Sequence, residues 1–223
     1  MINRYERKFI FQQTSAKNIE ILIKLNKAGF SEIFNERHIN NVYYDTLNFD
    51  NYYNNIDGVS DRVKYRIRWY NNFFLNSKDA VFEIKRRKGL LVNKEDFPLN
   101  NFFLNEYSDM SKYLKKKCEI QKQKFIRNYN LFPVLMNRYK RRYFLSNDKK
   151  FRATIDYNIE ASSIHKYPKF NLIALYKNSV ILELKYDIKH DSEVKFITNS
   201  FGTRLNKNSK YVAAFEFLKK NKN

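Results

Sequence analysis

Hydrophobic and polar residues alternate with a period of two along much of this chain, the pattern of strands with one buried face. The clearest run is 63–70, where Lys64, Arg66 and Arg68 share one face and Val63, Tyr65, Ile67 and Trp69 the other. Residues 80–88 repeat it, with Val81, Glu83, Lys85 and Arg87 against Ala80, Phe82, Ile84 and Arg86. The same alternation runs through 4–12 (Arg4, Glu6 and Lys8 on one face), 136–145 (Tyr139, Arg141 and Tyr143) and 151–159 (Arg152, Thr154 and Asp156). It returns in 179–188, with Ile181, Glu183, Lys185 and Asp187 together. Shorter strands are expected at 41–45 and, carrying Lys94, at 91–97.

Helical spacing is rarer. Ser15 is placed to cap a helix running to about residue 28, with Ile19, Leu22, Ile23 and Leu25 as its apolar stripe and Gly29 as its stop. A turn or short helix is expected at 49–53, and a basic helix with Lys112 and Lys115 to Lys117 at 104–127. Further helices are expected near 192–201 and at 209–220. Many antiparallel strands with a few helices make an α+β chain. Only 4 Gly and 3 Pro punctuate the 223 residues, so no flexible linker is visible and 1–223 reads as one domain.

Charge narrows the partners. Lys+Arg 43 against Asp+Glu 23 gives a formal net charge of +20, which suits nucleic acid, an anionic membrane surface or small polyanions. The single cysteine, Cys118, has no partner for an internal disulfide, and the N-terminus is charged from Arg4 onward without the apolar core of a signal peptide. No apolar run approaches the ~20 residues of a membrane span. A cytoplasmic monomer is the expectation. His38, His165 and His190 lack metal-ligand spacing, and Asp45 and Asp156 read as strand ends.

A strand face with three cations is either bathed in water or lines a site for a multiply charged anion. Three carboxylates sit two residues from a cation, Glu6 before Lys8, Glu83 before Lys85 and Glu183 before Lys185. Solvated strand faces are richer in Thr and Ser. A barrel with charge inside and an apolar exterior covered by helices would instead hold a triphosphate through bidentate Arg and point-charge Lys. The interleaved carboxylates would then bind a divalent cation through oxygen. An open RNA-binding sheet would carry aromatics on the charged face; here most fall opposite, so no specific nucleic-acid partner is expected.

Seven segments then occur in order: Arg4-Tyr-Glu-Arg-Lys-Phe, Val42-Tyr-Tyr-Asp-Thr, Lys64-x-Arg-x-Arg-x-Tyr, Glu83-Ile-Lys, Arg152-x-Thr-Ile-Asp, Leu182-Glu-Leu-Lys-Tyr and Ser209-Lys-Tyr. Together they resemble the VTC domain, the polyphosphate polymerase branch of the triphosphate tunnel metalloenzymes, over nearly the whole chain. The resemblance implies an antiparallel β-barrel of the triphosphate tunnel fold, with a charged interior and helices on the outside. It implies that the γ-phosphate of ATP passes to a growing inorganic polyphosphate chain with Mn²⁺ or Mg²⁺ as cofactor. Lys8, Arg66, Arg68, Lys85, Lys94, Arg141, Arg152 and Lys207 would grip phosphates, and Lys210 would lie beside the reacting one. Glu183 would ligate the metal, with Glu6 and Glu83 as further candidates.

Relatives that hydrolyse triphosphate or cyclise ATP resemble one another in an opening Glu-x-Glu-x-Lys motif. Here that stretch reads Arg4-x-Glu6-x-Lys8, which weighs against a two-metal hydrolytic site. An inorganic triphosphatase of this fold and a non-catalytic module binding polyphosphate or inositol phosphates remain the alternatives. Family members are often coupled to membrane proteins, so a membrane-protein partner is a further expectation.

Overall fold

The computed structural model describes residues 4–73, 75–77, 80–89, 91–99, 102–104, 131–164 and 172–221. The first half holds β1 (Arg4–Phe11), α1 (Ala16–Lys24), β2 (Ser31–Asp45), α2 (Asp50–Ile56), β3 (Asp61–Tyr70), β4 (Leu75–Ser77), β5 (Val81–Lys88), β6 (Leu91–Pro98) and β7 (Phe102–Leu104). The second holds β8 (Phe132–Leu145), β9 (Phe151–Ser163), β10 (Ile173–Ala174), β11 (Val180–Asp187), α3 (Val194–Thr198) and α4 (Lys210–Lys220). One antiparallel sheet runs in the order β1-β11-β9-β8-β2-β3-β5-β6, with β10 added against β9, and β4 and β7 form a separate ribbon. Among the described residues no backbone ladder joins the end strands β1 and β6. A side chain spans the gap instead: the Lys85 ammonium of β5 donates to both Glu6 oxygens of β1 at 2.8 and 2.9 Å. The sheet is thus barrel-like without being closed by backbone hydrogen bonds.

The alternation sorts the two faces. On the outside, Val42, Tyr44, Tyr65, Ile67, Trp69, Phe82 and Ile84 form one apolar cluster. Phe9, Phe144, Ala153, Ile155, Leu182 and Leu184 form a second, covered by Ile19 and Ile23 of α1 and by Val194 and Ile197 of α3. Burying each large side chain of this kind contributes about 1.5–3 kcal/mol, so these exterior clusters carry much of the stability. The last helix departs from this plan. Tyr211, Ala214 and Leu218 of α4 pack on Tyr43, Leu135 and Ala161, residues of the concave side, so α4 fills part of the barrel rather than covering it.

Most strand expectations hold to within a few residues, and two differ for identifiable reasons. β2 spans 15 residues where only 41–45 was expected; its register against β8 slips between Glu32 and Phe34 and again between Phe34 and Arg37, and bulges of this kind erase a period of two. β9 continues to Ser163, which puts Asp156 in mid-strand rather than at an end. Ser15 caps α1 and Ser209 caps α4, each hydroxyl accepting a backbone N–H from the first turn. Gly29 takes φ +62° beyond α1, a conformation costly for other residues. Leu104, where a helix was expected to begin, ends β7; the rest of that 104–127 segment, with its lysines and Cys118, and His165 lie outside the described residues. Among the described residues no helix is long and apolar enough to cross a membrane.

Candidate active site on the concave face

The inner face is built from alternate positions of the strands of the main sheet. On β1 and β11, Glu6 lies opposite Lys185 and Lys8 opposite Glu183. Lys185 reaches both carboxylates, at 2.8 Å from Glu183 and 3.8 Å from Glu6, and Lys8 lies 3.9 Å from Glu183. Burial works to raise the Glu183 carboxyl, but Lys185, Lys8, Arg141 and Lys85 hold it well below the ordinary carboxylate range. Burial pushes Lys85 down, Glu6 pulls it back up and Lys8 pushes it down again, leaving it at about 8. The two carboxylates offset the mutual repulsion of Lys8, Lys85 and Lys185.

On the other side, β3 and β5 bring Arg66 and Arg68 onto Glu83, which also receives the Lys94 ammonium at 3.0 Å. Glu83 is 1% exposed; burial would raise its pKa, yet the three cations depress it strongly. That carboxylate is therefore committed to organising cations. A bidentate pair closes the third wall, where the Arg141 guanidinium of β8 donates to both oxygens of Asp156 at 2.5 and 2.7 Å, the fork geometry that makes such pairs strong. Lys210, at the first turn of α4, reaches the same carboxylate at 2.5 Å. Asp156 is fully buried, and although burial pushes its pKa up, Arg141 and Lys210 bring it below the usual value.

The structure thus brings Lys8, Arg66, Arg68, Lys85, Lys94, Arg141, Glu183, Glu6, Glu83 and Lys210 to one face. Arg152 is exposed at the edge of that face, opposite Lys185 in register, and Lys207 is exposed in the segment before α4. Neither makes a side-chain hydrogen bond or ion pair among the described residues. Sequence reasoning passed over Asp156, whose place on the same alternating face as Arg152 was the available signal. It also missed the polar floor between β2 and β8, where Arg68 donates to Asn41 at 3.0 Å and Asn41 to Asn137 at 2.9 Å. Nothing in the local pattern marks those asparagines. Asn137 Nδ2 and Thr154 Oγ1 are buried without a hydrogen-bond partner among the described residues, leaving polar capacity inside the barrel.

Two carboxylates sharing one ammonium form a cation-holding pair. Glu6 and Glu183 offer hard oxygen donors of the kind Mg²⁺ and Mn²⁺ take, one or two carboxylates completed by phosphate oxygens and water. Among the described residues no group of three or more His, Cys, Asp or Glu is placed to hold a metal ion by itself.

A barrel-like antiparallel sheet with paired cations and carboxylates inside defines a tunnel-type architecture. Family comparison gives the same answer: the VTC domain model matches residues 3–219, so the chain belongs to the VTC domain family. Solved structures with this fold include a protein from Pyrococcus horikoshii OT3, 12% identical with TM-score 0.53, covering 97% of this chain and 99% of that one. A candidate adenylate cyclase from Vibrio parahaemolyticus is 9% identical with TM-score 0.55, covering 95% and 98%. A candidate adenylyl cyclase from Hippeastrum, described as having a dominant triphosphatase activity, is 13% identical with TM-score 0.51, covering 97% and 96%. At these identities the likeness is one of fold. Comparison with curated proteins finds no match.

Proposed function

We propose that this domain is a polyphosphate polymerase, transferring the γ-phosphate of ATP to the end of an inorganic polyphosphate chain. The observation that carries the reading is the Glu6–Lys185–Glu183 cluster set on the same concave face as Arg66, Arg68, Arg141 and Lys210. Phosphoryl transfer asks a protein for position and for charge at the equatorial oxygens rather than for covalent chemistry. Arg66, Arg68 and Arg141 supply planar forks for phosphate oxygens, and Lys8, Lys85 and Lys210 supply point charges. A terminal oxygen of the acceptor chain attacks the γ-phosphorus, the β–γ bridging P–O bond breaks, and ADP leaves with the electron pair. That nucleophile is already ionised, so the scarcity of unpaired bases in the site is no obstacle.

Glu6 and Glu183 are the residues that would hold Mg²⁺ or Mn²⁺, with Lys185 released to the phosphates. Bound there, the cation would neutralise charge on the transferring group. Two features favour a polymerase over a hydrolase. In the opening motif Arg4 occupies the position where the hydrolytic relatives resemble one another in a further carboxylate, and two other inner acids, Glu83 and Asp156, are already held by arginines.

The test is γ-labelled ATP with Mn²⁺ or Mg²⁺, read on a gel beside Arg66→Ala and Lys210→Ala, with thermal melts to confirm that both variants fold. An acid-labile, nuclease-resistant ladder that falls at least about 100-fold in both variants is expected. Labelled free phosphate alone would make the domain a triphosphatase. Tight polyphosphate binding without turnover would make it a binding module.

A further inference from the structure

The cations of the concave face fall into two sets. Most of those described above are within salt-bridge distance of a carboxylate. A second set on β3 and β5 has none among the described residues. Lys64 lies opposite Lys85, and one step further along the same face Arg62 lies opposite Arg87. Lys64 is half-buried and donates to Ser209 Oγ at 2.7 Å; Arg87 donates to its own turn, at Gly89 O, 2.8 Å; Arg62 has no side-chain partner among the described residues. Like charges directly opposite on one sheet face destabilise the pairing, and here two such pairs follow in succession. Burial and then Arg87 lower the Arg62 pKa, so the two guanidinium groups feel one another. Glu6 answers Lys85 and Arg87 is exposed, so the uncompensated charge rests on Lys64 and Arg62 with Arg87 beside them, and a polyanion lying along the row would relieve it.

We infer that Lys64, Arg62 and Arg87 form a second anion subsite, continuous with the phosphate grip, that takes phosphates of a polyphosphate chain beyond those held by Arg66 and Arg68. This rests on the polyphosphate reading above and deepens it. Inner-face positions on one strand are about 7 Å apart, so the row from Arg68 to Arg62 runs about 20 Å, longer than a triphosphate and suited to an extended chain. The two sets then have different tasks. Paired cations must exchange a carboxylate for phosphate, which makes their grip selective; unpaired ones bind any chain phosphate without that exchange.

Calorimetric titration with tripolyphosphate and with polyphosphate of several tens of units separates the ideas. The readout is the ratio of long-chain to tripolyphosphate affinity in wild type, in the double variant Arg62→Gln/Arg87→Gln, and in Arg62→Lys/Arg87→Lys. Both arginines lack an acidic partner among the described residues, so neither change leaves one of those carboxylates unpaired. The ratio is expected to fall at least about tenfold in the glutamine variant, as two charge-assisted contacts are lost, and to recover largely in the lysine variant. A ratio unchanged by the glutamine substitutions overturns the subsite. Wild-type protein that binds neither ligand overturns the polyphosphate reading itself.

Discussion

Arg141 and Arg142 are consecutive residues of β8, and both are clasped by carboxylates, but on opposite faces of the sheet. Arg141 points inward, is 8% exposed and is held by Asp156. Arg142 points outward and binds Glu20 of α1 together with Glu32 of β2, the Glu32 contacts being 2.6 and 2.8 Å. The outer cluster ties a helix to the sheet in partial contact with water, where an ion pair gains little and costs little. The inner pair is dehydrated, so each charge depends on its partner. One interaction therefore serves as a fastening outside and as a mutually dependent pair of buried charges inside, and only the inner one leaves a costly unpaired charge when a partner is removed.

The comparison breaks most readily at Asp156. Asp156→Ala leaves Arg141 and Lys210 buried without a counter-charge, a loss of about 3–5 kcal/mol. For a chain of this size that lowers the melting temperature by roughly 10 °C, and added tripolyphosphate should recover part of the loss by supplying the missing negative charge. A melt unchanged by the substitution would mean that the inner pair behaves like a surface one. Arg142→Ala should cost only about 1 kcal/mol, or roughly 3 °C, with tripolyphosphate affinity equal to wild type. If affinity fell with stability, the two faces would not be electrically separate.

The faces of these two arginines were legible in sequence; their partners were not. Alternation alone put Arg141 and Arg142 on opposite faces, and the Arg66, Arg68, Glu83, Lys85 and Glu183 positions followed from the same rule, because a period of two survives wherever a strand keeps its register. It failed in β2, where bulges between Glu32 and Arg37 break the period. Which face was internal could not be read from alternation; the ordered motifs supplied that. The pairing of Asp156 with Lys210 joins residues 54 positions apart in the chain, a contact that depends on α4 turning into the barrel, and no local pattern encodes it. The same holds for Lys64 and Ser209, which meet across 145 positions.

Lys64 sharpens the comparison from a third side, as an inner cation with no acid beside it among the described residues. Burial, followed by Lys8, Lys85, Arg62 and Arg66, holds its pKa well below the ordinary lysine range. The folded protein therefore releases this proton at lower pH than the unfolded chain does. Between that lowered value and about 10.5 the unfolded chain binds more protons, so stability rises with pH across the window and levels off above it. Melting temperature measured in metal-free buffer from pH 7 to 10.5 should climb in wild type, and more shallowly in Lys64→Met. Saturating tripolyphosphate should reverse the slope, since the bound anion favours the charged lysine and is lost as the proton leaves. Parallel curves for wild type and variant would show that Lys64 is already balanced in the empty protein, and would remove the electrostatic basis for distinguishing the unpaired row from the paired grip.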